Sequence, residues 1–195
     1  MPGKLIVVSG PSGAGKSSLL AKTFERARAP LAFSVSATTR PPRQGEVNGR
    51  DYHFLSPAEF ARRRERGEFL ECFELFGKPD EPGRWYGTLR SEVDERLEAG
   101  QWVVLEIDVQ GTMAVLEQFP DAATIFVRPA SFEELERRLR ARGTETEAAL
   151  RRRLETARSE LESADRYRHV IVNDDLDRAV ERMCSILDQL GEGKS

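Results

Sequence analysis

The sequence predicts an α/β fold, a parallel sheet core with helices on both faces, carrying an inserted mixed β subdomain and a helical lid. Three observations predict it. Short apolar runs alternate with helix-period patterns, as in α/β sheets. The first run leads straight into a glycine-rich loop that opens a helix. Two segments, about 36–90 and 130–166, break the alternation and read as insertions.

Leu5-Ile6-Val7-Val8 is apolar and β-branched, which suits a buried parallel strand. Gly10-Pro11-Ser12-Gly13-Ala14-Gly15-Lys16-Ser17 follows and fills every position of the pattern G-x-x-x-x-G-K-[ST]. The glycines let the backbone curl so that N–H groups face phosphate oxygens. Ser17-Ser18-Leu19-Leu20 starts a helix whose N-terminus adds partial positive charge. Lys16 reaches the β- and γ-phosphates of a bound nucleotide, and the Ser17 hydroxyl is the candidate Mg²⁺ ligand.

Further core strands are expected at Trp102–Ile107, Thr124–Val127 and Val170–Val172, with Leu31–Val35 as a fifth. Ser56-Pro57-Ala58-Glu59 is a capping box with proline at the first helical position. Ser131-Phe132-Glu133-Glu134 and Thr144-Glu145-Thr146-Glu147 start helices over about 132–142 and 145–165, separated at Gly143. The final helix carries Leu176, Ala179, Val180, Met183, Ile186, Leu187 and Leu190 on one stripe, and the tail Gly191–Ser195 should fray. Between these, Asp51-Tyr52-His53-Phe54 and Glu68-Phe69-Leu70-Glu71-Cys72-Phe73 are strand-like pieces of the first insertion.

A chain of 195 residues fits one domain with inserted subdomains. A net charge of -3 gives no electrostatic case for nucleic acid or membrane surfaces. No apolar run approaches a membrane span, and the immediate start of a strand leaves no room for a signal peptide. Cys72 and Cys184 form no metal-spacing motif and read as half-buried thiols in a reduced, cytoplasmic setting.

The first insertion holds Arg40 and Arg43 on a loop stiffened by Pro41 and Pro42, with Tyr52 shortly after. Two guanidinium groups on a stiff loop suit a phosphate monoester; a solvated basic loop is the plainer reading. Glu106 and Asp108 close an apolar strand, flank Ile107 and are expected on one face. Strand ends of open α/β sheets are where ligands sit, although a strand-end carboxylate can also be structural. His53 and His169 read as structural, and Trp85 and Trp102 as packing residues.

Six stretches then carry a resemblance. They are Ser36-Ala37-Thr38-Thr39-Arg40-Pro41-Pro42-Arg43, Gly45-Glu46-Val47-Asn48-Gly49, Asp51-Tyr52-His53-Phe54, Glu106-Ile107-Asp108-Val109-Gln110-Gly111, Arg142-Gly143-Thr144-Glu145-Thr146-Glu147 and Ile171-Val172-Asn173-Asp174-Asp175. In this order, over nearly the whole chain, they resemble the guanylate kinase family. The resemblance implies a P-loop NTPase-type core at about 1–35, 91–129 and 167–190, a GMP-binding subdomain at 36–90 and a lid at 130–166. It implies γ-phosphoryl transfer from ATP to GMP, and plausibly dGMP, with Mg²⁺.

Gly10 to Ser17 with Ser18 would then bind ATP. Asn173 matches a residue near the adenine, although Asn-Asp-Asp also reads as a helix cap. Glu71 matches the glutamate that reads guanine, with Asp108 as a second acid. Ser36 and Thr88 match hydroxyl contacts around O6. Tyr52, Tyr86, Arg40 and Arg43 match the group that grips the GMP phosphate. Glu106 and Asp108 divide between Mg²⁺ and the acceptor in an order the resemblance leaves open. Arg138, Arg142 and Arg153 match the lid arginines, while Arg137, Arg140, Arg151 and Arg152 are assigned to solvated faces. The stretch Gly77–Gly87 departs from the family: it is longer, holds two prolines and has Trp85 where tyrosine is usual. A non-catalytic binding module of the same fold is the rival reading, but such modules have degraded loops and depleted lid arginines. A monomer or homodimer is expected.

Overall fold

β-Branched and apolar residues at positions 5–8 form the strand expected of them, and it leads directly into the glycine-rich loop. In the computed structural model, which describes residues 3–75, 83–141 and 147–193, the elements run in order. They are β1 (Lys4–Ser9), α1 (Lys16–Arg26), β2 (Leu31–Phe33), β3 (Ala37–Thr38), β4 (His53–Phe54), α2 (Pro57–Glu65), β5 (Phe69–Leu75), β6 (Arg84–Leu89), α3 (Arg90–Glu98), β7 (Trp102–Glu106), α4 (Val109–Gln118), β8 (Ala123–Arg128), α5 (Phe132–Ala141), α6 (Glu147–Leu161), a 3₁₀ turn (Ala164–Arg166), β9 (His169–Val172) and α7 (Leu176–Gly191). Two compact units share them. One comprises Met1–Leu5, Ala32–Leu105 and Gln110–Ala122, the other Ile6–Leu31, Glu106–Val109 and Ala123–Ser195.

In the second unit β1, β8 and β9 lie side by side, all parallel, with Ile6 opposite Ala123 and Ile125 opposite His169. Ile6, Val7, Val8, Ile125, Phe126 and Val127 are almost wholly buried, as a parallel sheet requires. α7 lays its stripe of Ala179, Val180, Met183, Ile186, Leu187 and Leu190 inward, and it contacts α1 and β9. Its N-cap is Asp175, whose side chain accepts the Arg178 N–H, so Asn173 is not the cap. α5 and α6 close a small core of their own from Leu135, Leu139, Leu150 and Ala157, backed by Phe132 and Leu154. α6 stops at Leu161, earlier than its periodicity predicts. The chain must turn there so that Tyr167 can bury its ring against Phe126, with centroids 5.0 Å apart.

In the first unit β2 neighbours β7, and a separate four-stranded sheet runs β4-β3-β6-β5. β3 and β4 are parallel, while β6 is antiparallel to both β3 and β5. Ser56 caps α2 by accepting the Glu59 N–H, and Pro57 takes the first position, as the capping box predicts. Phe60 of α2 stacks on Phe69 of β5 at 4.3 Å, and with Ala37 and Leu89 forms the core under this sheet. Trp85 packs against that core and carries Arg64 over its ring at 4.4 Å. Cys72 and Cys184 are half-buried free thiols.

Several boundaries differ from expectation. β2 ends at Phe33, two residues short of Val35, where Ser34 turns to donate its N–H to Val104. β7 ends at Glu106, and Ile107 and Asp108 lie between it and α4. The expected common strand face for Glu106 and Asp108 is therefore lost. The Ile107 N–H still bonds the Val8 carbonyl of β1. The capping box at Thr144, the residues 76–82 of the long stretch and the tail residues 194–195 lie outside the described residues.

Candidate functional site

The phosphate loop lies in the second unit, between β1 and α1. Gly10 and Gly15 have φ of 138° and 86°, in the region that favours glycine. A side chain at Gly10 would strike the Val127 carbonyl, and one at Gly15 would strike the amide of Asn173. Gly15 is also the N-cap of α1 and offers no side chain to the first-turn N–H groups. Those donors therefore face no competing cap, which is how a helix start receives an anion. Lys16 Nζ donates to the carbonyls of Gly10 at 2.5 Å and Pro11 at 3.2 Å, so its ammonium is folded over the mouth of the loop. Ser17 Oγ donates to Glu106 Oε1 at 3.0 Å, which sets the last carboxylate of β7 beside the hydroxyl of the loop.

Asn173 joins three pieces of this site. Its Nδ2 donates to Ala14 O at 2.8 Å, its N–H to Arg128 O at 2.8 Å, and its carbonyl accepts Arg138 Nη2 at 2.9 Å. It is buried, in a position that braces the loop. Glu134 holds Arg138 from the other side, accepting Nε at 2.9 Å. From α6, Arg153 Nη2 reaches Ser12 Oγ at 2.6 Å. Two of the three expected lid arginines thus meet the loop or its brace; Arg142 lies outside the described residues. Arg137 and Arg140 pair with glutamates on their own helix, as expected of a solvated face.

Glu160, near the end of α6, was not legible in the sequence. Burial pushes its carboxyl up to about 7, with Lys16 pulling it back and Asp108 pushing it further. Between about pH 4.5 and 7 the unfolded chain gives up this proton while the native chain keeps it. The native state then binds more protons, so this group lowers stability as pH rises through that window. Glu160→Gln should therefore flatten the pH slope of the urea midpoint between pH 5 and 8. An unchanged slope would show that the carboxyl is ordinarily acidic.

The candidate acceptor site lies in the first unit and runs as a chain of contacts. Glu71 of β5 and Thr88 of β6 are cross-strand partners, and Thr88 Oγ1 donates to Glu71 Oε1 at 2.7 Å. Both are buried, at 5% and 1% exposure, so this acid is no surface glutamate. Tyr86 is two residues from Thr88 and shares its face of β6. Tyr86 meets Tyr52 edge-on at 6.2 Å, and Arg40 lies over Tyr52 at 4.8 Å. Arg40 is itself buried, with its guanidinium fork gripped by Glu46. Arg43 is exposed on the same loop, and Ser36 is half-buried beside β4, its carbonyl accepting the His53 N–H at 2.9 Å. His53 bonds Glu92 at 2.9 Å, a structural link to α3. Sequence reasoning missed Glu46, although it stands in the quoted Gly45–Gly49 motif three residues after Arg43.

A phosphate-binding loop between a parallel strand and a helix, with an acid from a neighbouring strand on its serine, defines a P-loop α/β nucleotide-binding fold. The family model described as guanylate kinase matches residues 2–190. A guanylate kinase of Rhodopirellula baltica is 54% identical over 187 residues, covering 95% of this chain and 88% of that one. Another from Rubrobacter xylanophilus is 51% identical over 191 residues, covering 98% and 96%. The crystal structure of guanylate kinase from Anaplasma phagocytophilum aligns with a TM-score of 0.76 at 32% identity, covering 96% of this chain and 85% of that one. The chain belongs to the guanylate kinase family.

Proposed function

We propose that this chain transfers the γ-phosphoryl group of ATP to GMP, giving ADP and GDP, with dGMP as a plausible second acceptor. The observation that carries the acceptor is the buried Glu71–Thr88 pair. Guanine offers N1–H and N2–H₂ donors to the Glu71 carboxylate, and its O6 would accept an O–H from Ser36 or from Thr88 once turned from Glu71. Adenine has no N1–H and would leave the acid unsatisfied in a buried place, which is how polar sites reject analogues. Ser36 and Asp108 are assigned to the same nucleotide, and Arg40, Arg43, Tyr52 and Tyr86 to its phosphate. Gly10 to Ser18 is assigned to ATP, with Asn173 bracing the loop and taking the adenine side.

Mg²⁺ fits the oxygen donors at this site, since Ser17 Oγ and the Glu106 carboxylate stand together and are the hard ligands it prefers. Ser17 would hold it directly and Glu106 through water; on this reading Glu106 is assigned to the metal and Asp108 to the acceptor. When bound, it would neutralise charge on the β- and γ-phosphates. The acceptor oxygen of GMP is already anionic at neutral pH, so no general base is required. Lys16, Arg138, Arg142 and Arg153 are assigned to offset the charge of two polyanions and of the phosphoryl group between them. Residues 1–35, 91–129 and 167–190 serve as core, 36–90 as acceptor subdomain and 130–166 as a lid that excludes water. No described helix is long and apolar enough to cross a membrane. A cytoplasmic monomer or homodimer working without nucleic acid fits this reading.

The test is ADP production from ATP and Mg²⁺ with GMP, dGMP, AMP, CMP, UMP or no acceptor. Turnover is expected with GMP and, more weakly, dGMP. Equal turnover with AMP, or turnover without acceptor, would remove the base assignment. GMP binding without turnover would make the chain a binding module.

A further inference from the structure

A carboxylate decides how the two arginines of the acceptor loop are presented. Glu46 Oε2 accepts Arg40 Nη1 at 2.6 Å, and Oε1 accepts Nη2 at 2.7 Å. The same Oε2 accepts the backbone N–H of Arg43 at 2.6 Å. Arg40 Nη1 also donates to the Pro41 carbonyl at 3.0 Å. These bonds account for three of the five guanidinium N–H groups. The two left over, on Nε and Nη2, lie along one edge and are spaced for two oxygens of a phosphate. Tyr52 and Phe54 hold the plane of the group, 4.8 and 5.4 Å from its centre.

We propose that Glu46 is the positioning residue of the acceptor-phosphate site, locking the fork of Arg40 end-on so that its Nε–Nη2 edge meets the phosphate of GMP. It also pins the Arg43 backbone, so that one carboxylate sets both arginines. Glu46 itself does not touch the nucleotide. The proposal rests on the reading of this chain as a GMP kinase. The hydrogen bonds from Arg40 and Arg43 hold its carboxyl down to about 2, so it stays ionised throughout the working range of an enzyme.

Charge and position make opposite predictions here. Glu46 is an anion close to where a dianion must bind. Acting by charge alone, its neutralisation would tighten GMP binding. Acting by position, its loss frees the Arg40 fork to swing and weakens binding. In Glu46→Gln, kcat/KM for GMP and calorimetric GMP affinity should each fall about 10- to 100-fold, the cost of a displaced binding group. The Kd for ATP should stay within about twofold, and E46Q should cost clearly less in the Arg40→Ala background than in wild type, the remainder running through Arg43, because neighbours acting through one group are not additive. GMP affinity that is unchanged or tighter in E46Q overturns the proposal. So does an equal loss of ATP affinity, or a full additional loss in the R40A background. A wild-type chain that neither binds nor phosphorylates GMP overturns the underlying function as well, and so separates the two failures.

Discussion

Lys16→Ala should lower kcat by about 10³-fold or more, close to the contribution of a single cation in phosphoryl transfer. That corresponds to about 4 kcal/mol of barrier. The ammonium lies 2.5 Å from the Gly10 carbonyl and 3.2 Å from that of Pro11, at the mouth of a loop whose backbone donors are set by glycine geometry. Arriving phosphates exchange two neutral carbonyl partners for anionic oxygens, and the gain grows as charge develops on the transferring group. The KM for ATP should rise by about tenfold, since the same contact also serves ground-state binding. The affinity for GMP should barely change, because its assigned residues make no use of Lys16. The fold should survive: Gly10 and Gly15 adopt positive φ that glycine tolerates unaided, and Asn173 braces the loop at Ala14 whatever stands at position 16. Circular dichroism and the melting temperature should match wild type. Lys16→Arg should not restore turnover, since a planar fork does not reproduce a compact point charge. A kcat within tenfold of wild type in K16A would remove Lys16 from the transition state.

The local parts of this molecule were legible because local physics decides them. A β-branched run, three glycines and a Lys-Ser pair specify strand, loop and helix start within about fifteen positions. Ser56 and Ser131 cap their helices as their sequences predict. What failed depended on distant partners. Asn173 reads equally as a cap until Asp175 is seen taking that role, which releases its amide for Ala14 across the fold. Glu106 and Asp108 read alike until β7 is seen to end at Glu106, whose carboxylate accepts the Ser17 hydroxyl. Arg40 and Arg43 look like a matched pair in the sequence. Folding buries one against Glu46 and Tyr52 and leaves the other exposed, because the loop doubles back over Gly45 in a way no periodicity announces. The long stretch before β6 leaves Tyr86 and Thr88 in regular pairing with Phe73 and Glu71, so that departure from the family spares the cross-strand register.

Glu71→Gln should cut kcat/KM for GMP by about 10²-fold or more, since a hydrogen bond to a charged group contributes about 1.5–3 kcal/mol and guanine would make two to this acid. The substitution is close to isosteric. Its amide oxygen can still accept the Thr88 hydroxyl, which now lies 2.7 Å from Oε1, so the buried strand pair should persist. The side-chain NH₂ then presents a donor where guanine also brings donors, and one contact becomes a repulsion. Adenine, with an acceptor at N1 and a donor at N6, matches an amide better than a carboxylate. AMP turnover should therefore rise relative to GMP even as both remain slow. Specificity is a difference between two affinities, and this change acts on both sides of it. The KM for ATP should stay within twofold, because Glu71 lies in the sheet of β5 and β6 and no assigned ATP contact involves it. Steady-state kinetics with each nucleotide varied in turn would decide. An equal loss for ATP and GMP would make Glu71 a structural acid of the strand pair. An unchanged GMP-to-AMP ratio would move guanine reading to Asp108 or Ser36.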